Sequence, residues 1–166
     1  MSNNIILIGM MGAGKSTLGK WLSTALNLKF VDTDQIIEDM QGQSINQIFE
    51  RHGVDYFRAI EAALVEKLAG INDTILATGG GIILNPSNNI ALRQLGTVIY
   101  LKASTHQLYR NLSNESDTRP LLKAQNLETI LMVREKLYEG TAHHIVEIDE
   151  KNIPTLGNEI SLLVGR

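Results

Sequence analysis

Apolar positions fall in short blocks divided by glycine and polar clusters. Asn4–Ile8 is apolar from Ile5 onward and stops at Gly9, a pattern that predicts a strand buried on both faces. From Lys15 to Leu26 the interval changes, and Leu18, Trp21, Leu22, Ala25 and Leu26 recur at helical spacing. Lys29–Val31 reads as a second short strand, and Asp32-Thr33-Asp34 offers N-cap residues for the helix after it. Ser44-Ile45-Asn46-Gln47 has the form of a capping box opening another short helix. Val54–Ala69 predicts a longer helix, with Phe57, Ile60, Ala63, Leu64 and Leu68 on one face and Gly70 as its stop.

The second half repeats the alternation. Thr74–Ala77 predicts a strand that runs into Gly79-Gly80-Gly81, followed by a helix over Asn88–Leu95. Thr97–Leu101 reads as a strand and Ser104–Leu112 as a helix. Ser113–Thr118 is polar and has no apolar period, which predicts a mobile loop. Asn126–Tyr138 reads as a helix, His144–Ile148 as a last strand and Ile153–Val164 as the closing helix. Strands and helices in alternation predict an α/β fold of three layers, α/β/α, around a five-stranded parallel sheet. Ligands in such folds bind beyond the carboxyl ends of the strands, where Asp32, Asp34 and the three glycines fall. No repeat and no Pro/Gly/Ser-rich linker divides the chain, and 166 residues suit one domain over 1–166.

One motif on that rim carries chemistry by itself. Gly9-Met10-Met11-Gly12-Ala13-Gly14-Lys15-Ser16 matches G-x-x-x-x-G-K-[ST], between a buried strand and an amphipathic helix. Glycines let successive N–H groups curl toward phosphate oxygens, and the helix N-terminus adds partial positive charge. Lys15 is placed to reach the β- and γ-phosphates, and the Ser16 hydroxyl to take a Mg²⁺ position. The plain alternative is a glycine-rich turn with an incidental lysine.

The other rim residues each have two readings. Asp32-Thr33-Asp34 is either a helix cap with a charged first turn, or one carboxylate for a metal and one for an acceptor. Arg58 and Glu61 stand at i, i+3, either as an exposed ion pair or with Glu61 holding the guanidinium to capture a carboxylate. Gly79-Gly80-Gly81 is a loose turn, or a place where a ligand approaches the backbone closely. Arg119 in Asp117-Thr118-Arg119-Pro120-Leu121-Leu122 is a solvated surface residue, or a cation carried by a flap onto a transferring phosphoryl group.

Composition narrows the partners. A net charge of −3 and 5% aromatics argue against nucleic-acid or anionic-membrane partners. No run approaches the ~18 apolar residues of a membrane span, and Met1–Ile8 lacks the basic start of a signal peptide. The chain has no cysteine, which excludes disulfides, thiolate nucleophiles and cysteine-ligated metals and suits a cytoplasmic location.

In company and in this order, Gly9–Thr17, Asp32-Thr33-Asp34, Phe57-Arg58-x-x-Glu61, Gly79-Gly80-Gly81, Arg119-Pro120-Leu121-Leu122 and Arg134 with Leu137-Tyr138 resemble the shikimate kinases. These are small P-loop kinases, related in fold to nucleoside monophosphate kinases, and the resemblance spans essentially the whole chain. It implies a P-loop kinase with a mobile lid over about 112–124, transferring the γ-phosphoryl of ATP to the 3-hydroxyl of shikimate with Mg²⁺. Such enzymes stand on the route to chorismate and aromatic amino acids. By the same resemblance, Gly12, Ala13, Gly14, Lys15, Ser16 and Thr17 hold the ATP phosphates, with Arg119 on the lid. Ser16 and Asp32 serve the metal, the latter through water. Asp34 binds ring hydroxyls and takes the acceptor proton, Arg58 and Arg134 bind the carboxylate, and Gly80 meets a hydroxyl through its backbone. Lys15, Asp34 and Arg119 form the catalytic set, in a chain expected to act as a monomer.

There is one departure. Similar enzymes carry a second lid arginine about seven residues before the Arg-Pro pair, where this chain has Asn111 or Leu112. The nearest arginine, Arg110, lies nine residues before Arg119 and is left out of the nucleotide set. Two further readings stay open on the residues alone: a kinase for another polyol acid such as gluconate, and a nucleotide-switched regulatory module.

Overall fold

The computed structural model describes residues 3–113 and 126–166. Five strands are described: β1 (Ile5–Ile8), β2 (Lys29–Asp32), β3 (Thr74–Ala77), β4 (Thr97–Lys102) and β5 (His144–Glu147). The helices are α1 (Lys15–Leu26), α2 (Thr33–Gln41), α3 (Ile45–Lys67), α4 (Pro86–Leu95), α5 (Thr105–Ser113), α6 (Leu127–Thr141) and α7 (Ile153–Leu163). The strands form one sheet in the order β2-β3-β1-β4-β5, with every neighbouring pair parallel. The expected sheet is therefore the observed one.

Burial follows the apolar runs. Every residue of β1 and β3 is buried, because helices cover both faces of the sheet centre. α1 packs on α7 along one face, with Gly157 leaving room for the Trp21 ring, while α3, α4 and α6 adjoin on the other. The chain leaves β1 toward β2 and leaves β3 toward β4, so β1 and β3 are neighbours whose connections run opposite ways. That is a topological switch point, and the crevice past its carboxyl ends is where such sheets hold ligands.

The short helix expected at Ser44 and the longer one expected from Val54 are both present within α3 and meet at a kink at Gly53, whose φ of 82° and ψ of 175° are non-helical. Ser44 does cap it with the reciprocal Gln47 bond of a capping box. Ile82–Leu84 is a 3-10 turn that buries Ile82 and Ile83 and leaves Leu84 exposed, and α4 begins at Pro86 rather than at the expected Asn88. The loop expected over 113–118 lies outside the described residues beyond Ser113, as does the lid beyond Leu112 and Ser113.

Candidate active site

The loop after β1 is shaped for an anion. Gly12 and Gly14 both take φ +83°, a left-handed conformation that only glycine adopts cheaply. Gly14 is the N-cap of α1 and offers no side-chain cap. By contrast, α2, α3, α4, α6 and α7 are capped by the side chains of Asp32, Ser44, Asn85, Asn126 and Asn152. α1 alone among these leaves its first turn to be satisfied by something else, as phosphate-binding helices do. Lys15 is only 8% exposed, and its Nζ donates to the carbonyls of Gly9 (2.7 Å) and Met10 (2.8 Å), so the ammonium is held over the loop.

The cap reading of the Asp-Thr-Asp segment holds, and the same carboxylate also meets Ser16. Asp32 Oδ1 accepts from the amides of Asp34 (3.0 Å) and Gln35 (3.4 Å), which caps α2. Its Oδ2 accepts from Ser16 Oγ at 2.5 Å. A hydroxyl and a carboxylate therefore meet beside the phosphate loop, two hard oxygen donors of the kind Mg²⁺ takes alongside substrate phosphates.

Met11, Gly12, Gly14, Lys15, Ser16, Thr17, Asp32 and Asp34 line part of a cavity of about 540 Å³. Ala13 does not; its amide donates to Met10 O at 3.1 Å inside the loop, so this member of the expected phosphate set serves the turn itself. A smaller cavity of about 90 Å³ is lined by Asp34, Arg58, Glu61, Gly79, Gly80, Gly81 and Arg134 together with Phe49 and Phe57. Met11, Ile45, Asp34 and Gly80 border both cavities, and Asp34 is the one carboxylate they share.

The three glycines have a steric origin. A Cβ on Gly79 would stand 2.7 Å from Asp34 Oδ1 and 3.0 Å from Glu61 Oε1; one on Gly81 would stand 2.1 Å from Arg58 Nη2. None of the three has a positive φ. Gly79 and Gly81 thus leave room for the charged groups of the smaller cavity, while a Cβ on Gly80 would stand 3.2 Å from the Met11 amide nitrogen. Gly81→Ala is expected to displace the Arg58 guanidinium, which is flexible enough to yield. A Tm within about 4 °C of the parent, together with a rise of about 10-fold in the acceptor KM, is the expected outcome of steady-state kinetics and thermal melts.

Arg58 and Glu61 are no surface pair. Glu61 is 1% exposed, and its Oε2 accepts from Arg58 Nη1 at 2.8 Å. Burial raises the Glu61 carboxyl above its ordinary range, opposed by the Arg58 charge. The Arg58 guanidinium also lies 5.2 Å from the Phe57 ring centroid, which stiffens it further. Arg134 reaches the same cavity from α6 and is 5% exposed. Among the described residues, neither Arg134 Nη1 nor Glu61 Oε1 has a hydrogen-bond partner. Buried polar atoms left so are costly, and a ligand bearing a carboxylate and hydroxyls would satisfy them.

Tyr138 and Thr33, both within motifs quoted above but given no role there, support this site. Tyr138 is fully buried, stacks on Tyr100 with centroids 4.9 Å apart, and its hydroxyl donates to Gly80 O. Burial pushes the Tyr138 phenol up to about 12, so it remains a donor at neutral pH. Thr33 Oγ1 accepts from the Gly79 amide at 3.1 Å. Tyr138 stands one helical turn past Arg134, the spacing that puts both on one face of α6. Arg119 lies outside the described residues. Arg110 pairs with Glu150 at 2.8 Å on the surface.

Comparison with known proteins decides the family. The model of the family described as shikimate kinase matches residues 11–162. The chain belongs to the shikimate kinase family. A shikimate kinase of Caldanaerobacter subterraneus subsp. tengcongensis is 42% identical over 161 residues, 95% of this chain and 93% of that one. A solved shikimate kinase from Acinetobacter baumannii, in complex with shikimate, superposes with a TM-score of 0.92 at 35% identity, covering 97% of this chain and 92% of the other. One from Bacteroides thetaiotaomicron gives 0.89 at 27% identity, covering 98% of each. The kinase fold of this family, ATP-dependent transfer to a shikimate hydroxyl and the place of that step in aromatic amino acid biosynthesis follow from membership. Among the described residues no helix is long and apolar enough to cross a membrane.

Proposed function

We propose that the larger cavity holds Mg-ATP, that the smaller one holds shikimate, and that the 3-hydroxyl is phosphorylated where they meet at Asp34. One observation carries this reading: the two cavities share Asp34 and Gly80, so donor and acceptor share a border. Arg58 and Arg134 supply two guanidiniums for the shikimate carboxylate, the geometry arginine suits best. The Gly80 backbone, its carbonyl tied by Tyr138, faces a ring hydroxyl. On the nucleotide side Gly12, Gly14, Ser16 and Thr17 line the phosphate cradle and Lys15 neutralises charge on the moving group. Ser16 and Asp32 would hold Mg²⁺, which when bound shields the phosphate charges. Arg119, on the segment after α5, adds positive charge in the transition state.

The transfer needs positioning and charge stabilisation, not a covalent enzyme intermediate, which accords with a chain lacking cysteine. The oxygen–phosphorus bond to the acceptor forms as the γ-phosphoryl leaves ADP, and the hydroxyl proton passes to Asp34. The test is ATP-dependent ADP release by the purified chain with shikimate, gluconate and nucleoside monophosphates in parallel. Shikimate is expected to turn over fastest; faster turnover of either other acceptor would overturn the assignment.

A further inference from the structure

The last turn of α5 touches the phosphate loop in a way the reading above does not use. Asn111 Nδ2 donates to the Gly12 carbonyl at 2.7 Å. The same peptide is held at its other end, because the Ala13 amide donates to Met10 O at 3.1 Å. Both polar atoms of the Gly12–Ala13 peptide are therefore engaged, and its plane is fixed. Leu112 packs against the same point: a Cβ on Gly12 would lie 2.8 Å from Leu112 Cγ. The Asn111 amide is itself oriented. Its Oδ1 accepts from Gln107 Nε2 at 2.9 Å, one turn earlier, which turns Nδ2 to the loop. Gln107 Oε1 in turn accepts from the Glu150 amide at 3.4 Å. The relay thus runs from the phosphate loop through α5 to the segment after β5.

Such a tie has a chemical purpose. A peptide next to a left-handed glycine rotates at little cost. If this one rotated, a carbonyl oxygen would turn toward the cavity proposed to receive phosphate, where its dipole repels an anion instead of attracting it. We propose that Asn111, oriented by Gln107, is a positioning residue for the nucleotide: it holds the Gly12–Ala13 peptide with its carbonyl turned away from the phosphates. Asn111 and Leu112 stand where similar enzymes carry the second arginine, and in this chain that stretch touches the loop rather than contributing charge.

The proposal rests on the larger cavity taking ATP, and its test is chosen to separate the two. ADP with Mg²⁺, and shikimate alone, are titrated calorimetrically into the parent, Asn111→Leu, Gln107→Leu and the double variant, with Tm recorded for each. Asn111→Leu keeps the volume and loses the donor. Its ADP dissociation constant is expected to rise about 10-fold, with shikimate affinity within about 2-fold of the parent. Gln107→Leu should move ADP affinity in the same direction by less, and the double variant should be no worse than Asn111→Leu, because the two act in series. Unchanged ADP affinity in both single variants overturns the proposal. So do additive losses, or equal losses for ADP and shikimate that track a fall in Tm, since those describe a merely structural contact. A parent chain that binds no ADP would instead overturn the nucleotide reading beneath it.

Discussion

Lys15→Ala is expected to lower turnover by about 10³-fold or more while the protein stays folded. Among the described residues Lys15 is the sole cationic side chain lining the larger cavity, so its loss removes the nearest fixed positive charge from the transferring phosphoryl group. The cost falls on the transition state, where charge spreads over the equatorial oxygens. Stability is pulled two ways. The Gly9 and Met10 carbonyls lose a donor, but a largely buried ammonium no longer has to be desolvated. Met10 O keeps the Ala13 amide, which limits the damage to the loop. A Tm within about 4 °C of the parent is expected. Shikimate affinity, measured without nucleotide, should not change, because Lys15 does not line the smaller cavity. A collapsed circular-dichroism spectrum, or a parallel loss of shikimate binding, would show that the lysine holds the loop together rather than serving the reaction.

Local pattern made much of this legible, and its failures have physical causes. α1 was readable to the residue because a glycine opens it, its apolar period is clean, and Asn27 at φ 52° ends it. Asp32 and Ser16 were readable because their chemistry sits in short contiguous motifs beside strands. The boundary at Gly53 was legible because glycine is a helix breaker, and its non-helical φ and ψ put a kink between the two helical stretches, which still share one core through Ile48 and Phe57. Ile82–Leu84 has a strand-like composition, but its amides turn back to Gly79 and Gly81, which no residue preference announces. Arg134 came only from the resemblance. It stands on α6, far along the chain from Arg58, and no spacing rule says that two distant helices converge on one cavity. The acidic balance of the whole chain, likewise, says nothing of a pocket that gathers Arg58 and Arg134.

Asp34→Asn is expected to separate chemistry from binding at the same site. Asparagine keeps the shape and the hydrogen-bonding reach but cannot take a proton. If Asp34 accepts the hydroxyl proton, kcat should fall by about 10²–10⁴-fold, with shikimate affinity changed far less. The location argues for this role: Asp34 borders both cavities, so on the proposed assignment of ATP and shikimate its carboxylate stands where the two would meet. A Cβ on Gly79 would stand 2.7 Å from Asp34 Oδ1 and 3.0 Å from Glu61 Oε1, so the bare Gly79 backbone leaves the Asp34 carboxylate the room it occupies at the border. A carboxylate used only to orient ring hydroxyls predicts a different split. Asp34→Asn would then raise the shikimate KM and leave kcat nearly intact, and Asp34→Ala would resemble it. Because phosphoryl transfer through a loose transition state moves the proton late, a moderate fall in kcat at unchanged KM is also informative. It would mean that the proton leaves after the phosphorus–oxygen bond has largely formed, with Asp34 as its acceptor and not as the group that activates the nucleophile.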